Sequence, residues 1–259
     1  MSVIVAFSAL AGKVPLFGVA AASGNAPGMA DFAVQALKRI IAPVAVLLGV
    51  MIALGLLITK VMTHVWPFTI EDSVNRELER DRTHDISLVS LIFSTLASTP
   101  AIIAVAVLAA IVLRLTLKRW RESIFLCAAV CAQAVVFFLT TLVIDRPRPD
   151  VEKMDSSPPT SSFPSGHTSA AVALYLGLAV ILFRVANRTW LKRAAWLLLI
   201  VPAGVALTRM YRGMHHPSDV LASFLNGGIC VLVMARAILS RSGIRGSGTK
   251  HGRVTTAKA

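Results

Sequence analysis

The chain has 259 residues, 56% of them apolar and 15% charged, with a mean hydropathy of +0.72, a balance that excludes a soluble domain of ordinary usage. Its formal net charge of +13 does not point to nucleic acid, because the lysines and arginines lie in short segments between apolar runs instead of massing on one surface. Cys127, Cys131 and Cys230 all fall inside apolar runs, so neither a disulfide framework nor a zinc site is indicated.

The apolar run Val3 to Leu10 has no basic residue before it, which favours a retained cytoplasmic arm over residues 1–39 and not a cleaved signal peptide. Ile40 to Thr59 then run without a charge, about the twenty residues needed to cross ~30 Å of hydrocarbon. In the polar stretch that follows, Ile70, Val74 and Leu78 recur every four residues among acidic and basic side chains. This spacing predicts an amphipathic helix on the outer leaflet that joins two spans and carries no chemistry.

Further spans are predicted over 98–117, 122–144, 166–184, 194–209 and 218–239. The fourth and fifth are shorter or more interrupted, as helices buried in a bundle can be. The expected architecture is an all-α, integral membrane six-helix bundle over 40–239, followed by a basic, disordered cytoplasmic tail over 240–259. Trp66, Trp120 and Trp190 lie near span ends, where indole rings settle at the headgroup level.

Lysines and arginines concentrate before the first span, around 114–121, around 184–193 and from Arg236 onward, whereas nearly all acidic residues fall in the alternate segments. The positive-inside rule therefore predicts cytoplasmic termini in a multi-pass protein of the cell membrane.

Three polar clusters then share the extracytoplasmic side: Asp145-Arg146-Pro147-Arg148-Pro149, Pro164-Ser165-Gly166-His167, and Thr208-Arg209 followed by His215 and Asp219. Ionisable groups at span ends are costly unless they face water or one another, so their collection on one face marks a candidate site. Arg148 and Arg209 offer planar forks for phosphate oxygens. Ser165 and Gly166 open a helix whose unpaired amides favour an anion. Asp219 lies one turn beyond His215, and the expected carboxylate–imidazole bond would fix the tautomer that leaves the other ring nitrogen nucleophilic. His167 supplies a general acid and base.

The clusters resemble the three motifs of the type 2 phosphatidic acid phosphatase family, K-x6-RP, PSGH and SR-x5-H-x3-D, in the correct order. Arg148-Pro149, Pro164 to His167, and Arg209, His215 and Asp219 match by position; Thr208 stands for the motif serine and Thr141 for the motif lysine. The resemblance implies a metal-independent membrane phosphatase without cofactor that hydrolyses a lipid phosphate or polyprenyl pyrophosphate through a phosphohistidine. On that reading His215, His167 and Asp219 are catalytic, and Arg148, Ser165, Gly166 and Arg209 bind phosphate. Arg146 and Thr141 stand as further phosphate-binding candidates, Arg146 as a substitute for the missing lysine. The vanadium haloperoxidases carry similar motifs but are soluble.

Transfer of the phosphoryl group to a lipid or sugar acceptor uses the same residues, and a catalytically silent lipid-phosphate binder remains a reading from another class. Metal ligation by His167, His215, His216 and Asp219 is disfavoured by two arginines that attract an anion and repel a cation. The topology predicts that reporter fusions after Arg119 and Arg193 are cytoplasmic and those near Asp81 and Asp155 extracytoplasmic; one inverted pair of reporters would move the site to the inner face.

Overall fold

The computed structural model of the protein describes residues 37–156 and 160–240. Apart from the few residues at its edges with the bundle, the expected arm 1–39 and tail 240–259 lie outside the described residues. Every regular element among the described residues is helical, as backbone surrounded by hydrocarbon must be when no barrel forms.

Six helices are long and apolar enough to cross a membrane: α1 (Lys38–Val61), α4 (Thr99–Leu117), α5 (Arg121–Val143), α6 (Gly166–Val185), α7 (Thr189–Tyr211) and α8 (Pro217–Leu239). Two shorter helices, α2 (Glu71–Arg80) and α3 (His84–Leu96), occupy the connection between α1 and α4. Prolines at the first turns of α4 and α8 occupy positions whose amides have no intrahelical acceptor.

The centre of the bundle is α6, buried from Ala171 through Tyr175, with α5 and α8 packed against it and α1 and α4 against α5. Phe125, Leu126, Ala129 and Val231 close this core. Leu108, Leu142 and Leu221 instead point outward, more than 60% exposed, as side chains facing lipid do.

The outer connection differs from the sequence reading. The expected surface helix is present as α2, but its buried residues are the polar Glu71 and Asn75, while Ile70 at its start is exposed. Helix α3, not anticipated, packs on α7 with Ser90 and Ser94 buried and Ile86, Leu88, Val89, Leu91 and Ile92 exposed. At 13 residues it spans ~20 Å, too short to cross. Helix α3 turns a polar face inward and an apolar face outward, the arrangement suited to an element that covers a polar site from the membrane side, whereas α2 keeps Val74 and Leu78 half-buried and exposes Asp72, Arg76, Glu77 and Arg80.

Close approach of α8 to α6 depends on Gly227, where an added Cβ would lie 2.7 Å from the Ser169 carbonyl oxygen and from Val172 Cβ. Small residues at such crossings let membrane helices meet. Gly227→Ala is expected to cost about 1–3 kcal/mol through overpacking, whereas Gly228→Ala, with nothing within 4 Å, is expected to be neutral or mildly stabilising. Thermal unfolding of the two variants in detergent checks the difference.

Candidate active site at the outer ends of α5 to α8

The C-terminal ends of α5 and α7 and the N-terminal ends of α6 and α8 meet around His215, in the turn between α7 and α8. Gly213 enables that turn with φ +70, a left-handed conformation that favours glycine. His215 is 4% exposed, and its Nδ1 lies 2.7 Å from the backbone oxygen of Ser162. A carbonyl can only accept, so Nδ1 carries the proton and Nε2 keeps its lone pair. Asp219 Oδ2 is 3.9 Å from the same nitrogen, so the backbone carbonyl, and not the expected carboxylate, makes the orienting bond. Burial pushes the imidazole down to about 3; Asp219 pulls it up, Arg209 and Arg148 push it further down, and the Ser162 carbonyl opposes them. The ring is neutral at ordinary pH.

Arg148 Nη1 donates to the Met214 carbonyl at 2.8 Å, its one hydrogen bond among the described residues. Burial lowers its pKa, with Asp219 acting the other way, and an arginine so placed stays charged. Arg209, 3% exposed, uses Nη1 to reach Ser94 Oγ at 2.9 Å and Asp155 Oδ2 at 2.6 Å. Its buried Nε has no partner among the described residues. One corner of the guanidinium is thus anchored while the Nε–Nη2 edge remains open, the edge suited to two parallel bonds to an oxyanion.

The ring nitrogens of His167 have no hydrogen-bond partner among the described residues, and the charges of Arg209 and Arg148 reach both His167 and His215. Ser165 caps α6: its Oγ accepts from the Thr168 amide at 3.4 Å and contacts Thr168 Oγ1 at 3.0 Å, while its own amide donates to Ser223 Oγ at 2.8 Å. The next amides, on Gly166 and His167, have no intrahelical acceptor. A Cβ at Gly166 would stand 2.8 Å from the Phe137 ring.

Asp219 is completely buried. Its Oδ1 pairs with Arg146, and its Oδ2 accepts from the His216 amide at 2.8 Å. Arg146 also bonds Ser218 Oγ at 2.7 Å and Glu71 Oε2 at 2.5 Å, and Glu71 Oε1 accepts the Ser218 amide at 2.8 Å. This guanidinium is therefore spent on carboxylates. Thr141 Oγ1 donates to the Phe138 carbonyl one turn back, at 2.7 Å. The sequence-predicted residues thus fall into an open group of Arg148, His167, Arg209 and His215, a capping pair of Ser165 and Gly166, a braced pair of Arg146 and Asp219, and Thr141 bonded to its own helix.

Several participants were not anticipated. From α2 come Glu71, Asp72, whose Oδ1 is 3.3 Å from His216 Nε2, and Asn75, whose Nδ2 donates to the His215 carbonyl at 3.1 Å. From α3 come Ser90 and Ser94, hydroxyl acceptors for Arg212 and Arg209. A polar stripe at Ser87, Ser90 and Ser94, spaced i, i+3, i+7, was the available signal. Asp155 binds Arg209 and Arg212 together. Burial would raise its pKa, but bonds from Arg212 and the charges of Arg209 and Arg212 hold it below the ordinary carboxylate value.

Residues 122–242 match the family model described as PAP2 superfamily. Over 84 residues the chain is 32% identical to the bacitracin transport permease protein BcrC of Bacillus licheniformis, covering 32% of this chain and 37% of that one. Over 98 residues it is 35% identical to the undecaprenyl-diphosphatase BcrC of Bacillus subtilis (strain 168), covering 36% and 46%. The alignments thus span less than half the length of these relatives.

The fold is similar to the crystal structure of a transmembrane PAP2 type phosphatidylglycerolphosphate phosphatase from Bacillus subtilis, with TM-score 0.64, 18% identity and coverage of 74% of this chain and 94% of that one. It is also similar to Aquifex aeolicus LpxE, with TM-score 0.52, 21% identity and coverage of 66% and 98%.

The two neighbouring arginines should separate experimentally. Arg146→Ala leaves Glu71 and Asp219 buried without their cation, an expected loss of about 3–5 kcal/mol. Arg148→Ala removes one carbonyl bond, about 1 kcal/mol, and weakens phosphate binding. Unfolding in detergent beside phosphate titration reads both effects, and the reverse ranking would show that the brace is assigned to the wrong arginine.

Proposed function

We propose that the chain, whose residues 122–242 match the PAP2 superfamily model, is a membrane phosphatase that hydrolyses a lipid phosphate or polyprenyl diphosphate at the extracytoplasmic face. The observation that carries the reading is the open group: a buried, neutral His215 with Nε2 unengaged, beside two guanidinium groups with free edges and a second histidine. The undecaprenyl-diphosphatase relative supports the substrate class. So does the position of the group at the ends of apolar helices, where a lipid headgroup arrives laterally. An apolar cavity of about 460 Å³ between α1, α2 and α8, lined by Leu54, Ile58, Val74, Leu221 and Leu225, borders Ser218 and suits a hydrocarbon tail.

In the proposed mechanism Arg148, the Nε–Nη2 edge of Arg209 and the first amides of α6 hold the phosphate oxygens. Charge stabilisation and positioning do most of the work in phosphoryl transfer. His215 Nε2 attacks phosphorus, the bond to the leaving oxygen breaks, and protonated His167 gives that oxygen its proton. The phosphohistidine ring is cationic while Nδ1 keeps its hydrogen, and the Ser162 carbonyl and the nearby Asp219 carboxylate stabilise that charge. Water then loses a proton to His167 and attacks phosphorus. The P–N bond breaks, and its electrons return to Nε2.

Purified protein is expected to release phosphate from a lipid phosphate or diphosphate in excess chelator. Vanadate is expected to inhibit, as a trigonal-bipyramidal oxyanion fits donors arranged for the transition state. His215→Ala is expected to lose activity by several orders of magnitude, and acid-labile phosphate should be trapped on the wild type alone. Wild-type turnover by His215→Ala, or a requirement for added Zn²⁺ or Mg²⁺, would refute this mechanism.

A further inference from the structure

The arginine cluster at the outer end of α7 contains a place for a second anion. Arg212 is buried and lies three residues beyond Arg209, and the two guanidinium groups converge on one carboxylate. Asp155 Oδ2 accepts from Arg209 Nη1 at 2.6 Å, from Arg212 Nε at 3.0 Å and from Ser94 Oγ at 3.3 Å. Asp155 Oδ1 accepts from Arg212 Nη2 at 2.5 Å and from Nε at 2.9 Å. The donors are held from behind: Arg212 Nη1 is fixed by Ser90 Oγ at 2.9 Å, and Nη2 also meets the Met154 carbonyl at 3.2 Å.

This is an anion seat by construction, with two permanent cations and a hydroxyl around a single negative charge. None of the three family motifs includes Arg212, Ser94 or Asp155. Arg209 belongs to two seats at once, because its Nη1 corner faces Asp155 while its Nε–Nη2 edge is open to the reacting phosphate. Adjacent edges of one guanidinium match two phosphates joined through one bridging oxygen. A terminal phosphate presents the same kind of oxygen acceptors as a carboxylate, with more charge.

Resting on the phosphatase reading above, we propose that Arg209, Arg212 and Ser94 form a seat for the second phosphate of a diphosphate substrate, and that Asp155 is the internal anion this phosphate displaces. A monophosphate uses the open edge of Arg209 and leaves Asp155 in place. A diphosphate takes both sides of the guanidinium, so Asp155 sets the discrimination between the two.

The test uses full-length wild type, Asp155→Asn and Arg212→Gln in detergent, titrated calorimetrically with inorganic phosphate and with methylenediphosphonate, whose P–C–P bridge resists hydrolysis. Asparagine keeps the shape and one acceptor, so the fold should persist, and gel filtration with circular dichroism checks this. Asp155→Asn is expected to tighten methylenediphosphonate about tenfold, the scale of one charge-assisted contact, and phosphate much less. Arg212→Gln is expected to weaken methylenediphosphonate about tenfold more than phosphate. Equal shifts for the two ligands in the folded Asp155→Asn variant would mean that Asp155 only braces the arginines, and the second seat falls.

Phosphate release from a lipid monophosphate and from a polyprenyl diphosphate by the wild type, run in parallel, separates the two claims. No release alongside ligand-specific shifts sinks the phosphatase reading and leaves the seat. Release alongside equal shifts sinks the seat alone.

Discussion

Arg146 is the junction on which the half of the bundle around His215 depends. It pairs with Glu71 from α2 and Asp219 from α8, and is itself carried by the segment that leaves α5. Three elements distant in sequence are therefore fastened at one buried guanidinium. Two carboxylates against one arginine would leave a surplus negative charge, which is costly out of water. The first amides of α8 reduce that cost: Glu71 accepts the Ser218 amide and Asp219 the His216 amide, each carboxylate at the positive end of the helix dipole. The brace both holds α2 over the site and fixes the start of α8, one turn from His215.

The surrounding arginines divide the remaining work according to how much of each is already engaged. Arg146 gives both terminal nitrogens to protein carboxylates and a hydroxyl. Arg148 spends one nitrogen on the Met214 carbonyl, and Arg209 spends one on Ser94 and Asp155. A guanidinium held at one corner has lost most of its rotamer freedom before a ligand arrives, so less ordering entropy opposes binding at its open edge. Arg146, the candidate substitute for the motif lysine missing at Thr141, has its two terminal nitrogens turned to Asp219, Ser218 and Glu71.

The spans and the motif residues were legible because both rest on local signals, apolar length for one and fixed spacing for the other. The same signals misled at residues 60–99. Ile86, Leu88, Val89, Leu91 and Ile92 form an apolar face, but the run is too short to register as a span. In α2 the stripe at Ile70, Val74 and Leu78 predicted a helix, yet gave no hint that Glu71 and Asn75 would be its buried side. Amphipathicity is read with water as the outer solvent; beside a bilayer the inward face can be the polar one. The orienting partner of His215 was beyond sequence reading altogether, since a backbone carbonyl has no residue signature.

That carbonyl changes the chemistry the histidine is suited to. In a triad with a carboxylate on Nδ1, the charged partner favours the imidazolium and makes the ring a base. At His215 the partner is neutral Ser162 oxygen at 2.7 Å, with Asp219 withdrawn to 3.9 Å and itself engaged by Arg146 and the His216 amide. The weaker pull leaves the ring unprotonated in a site crowded with guanidinium charge, and a neutral ring keeps its Nε2 pair for phosphorus. Once a P–N bond forms, the ring becomes cationic, and the carboxylate one turn away then acts by field instead of by hydrogen bond. Buried attraction across that distance is appreciable where the local dielectric is low. Asp219 in the proposed mechanism therefore contributes little to the resting imidazole and more to the intermediate, which is the differential stabilisation that lowers a barrier.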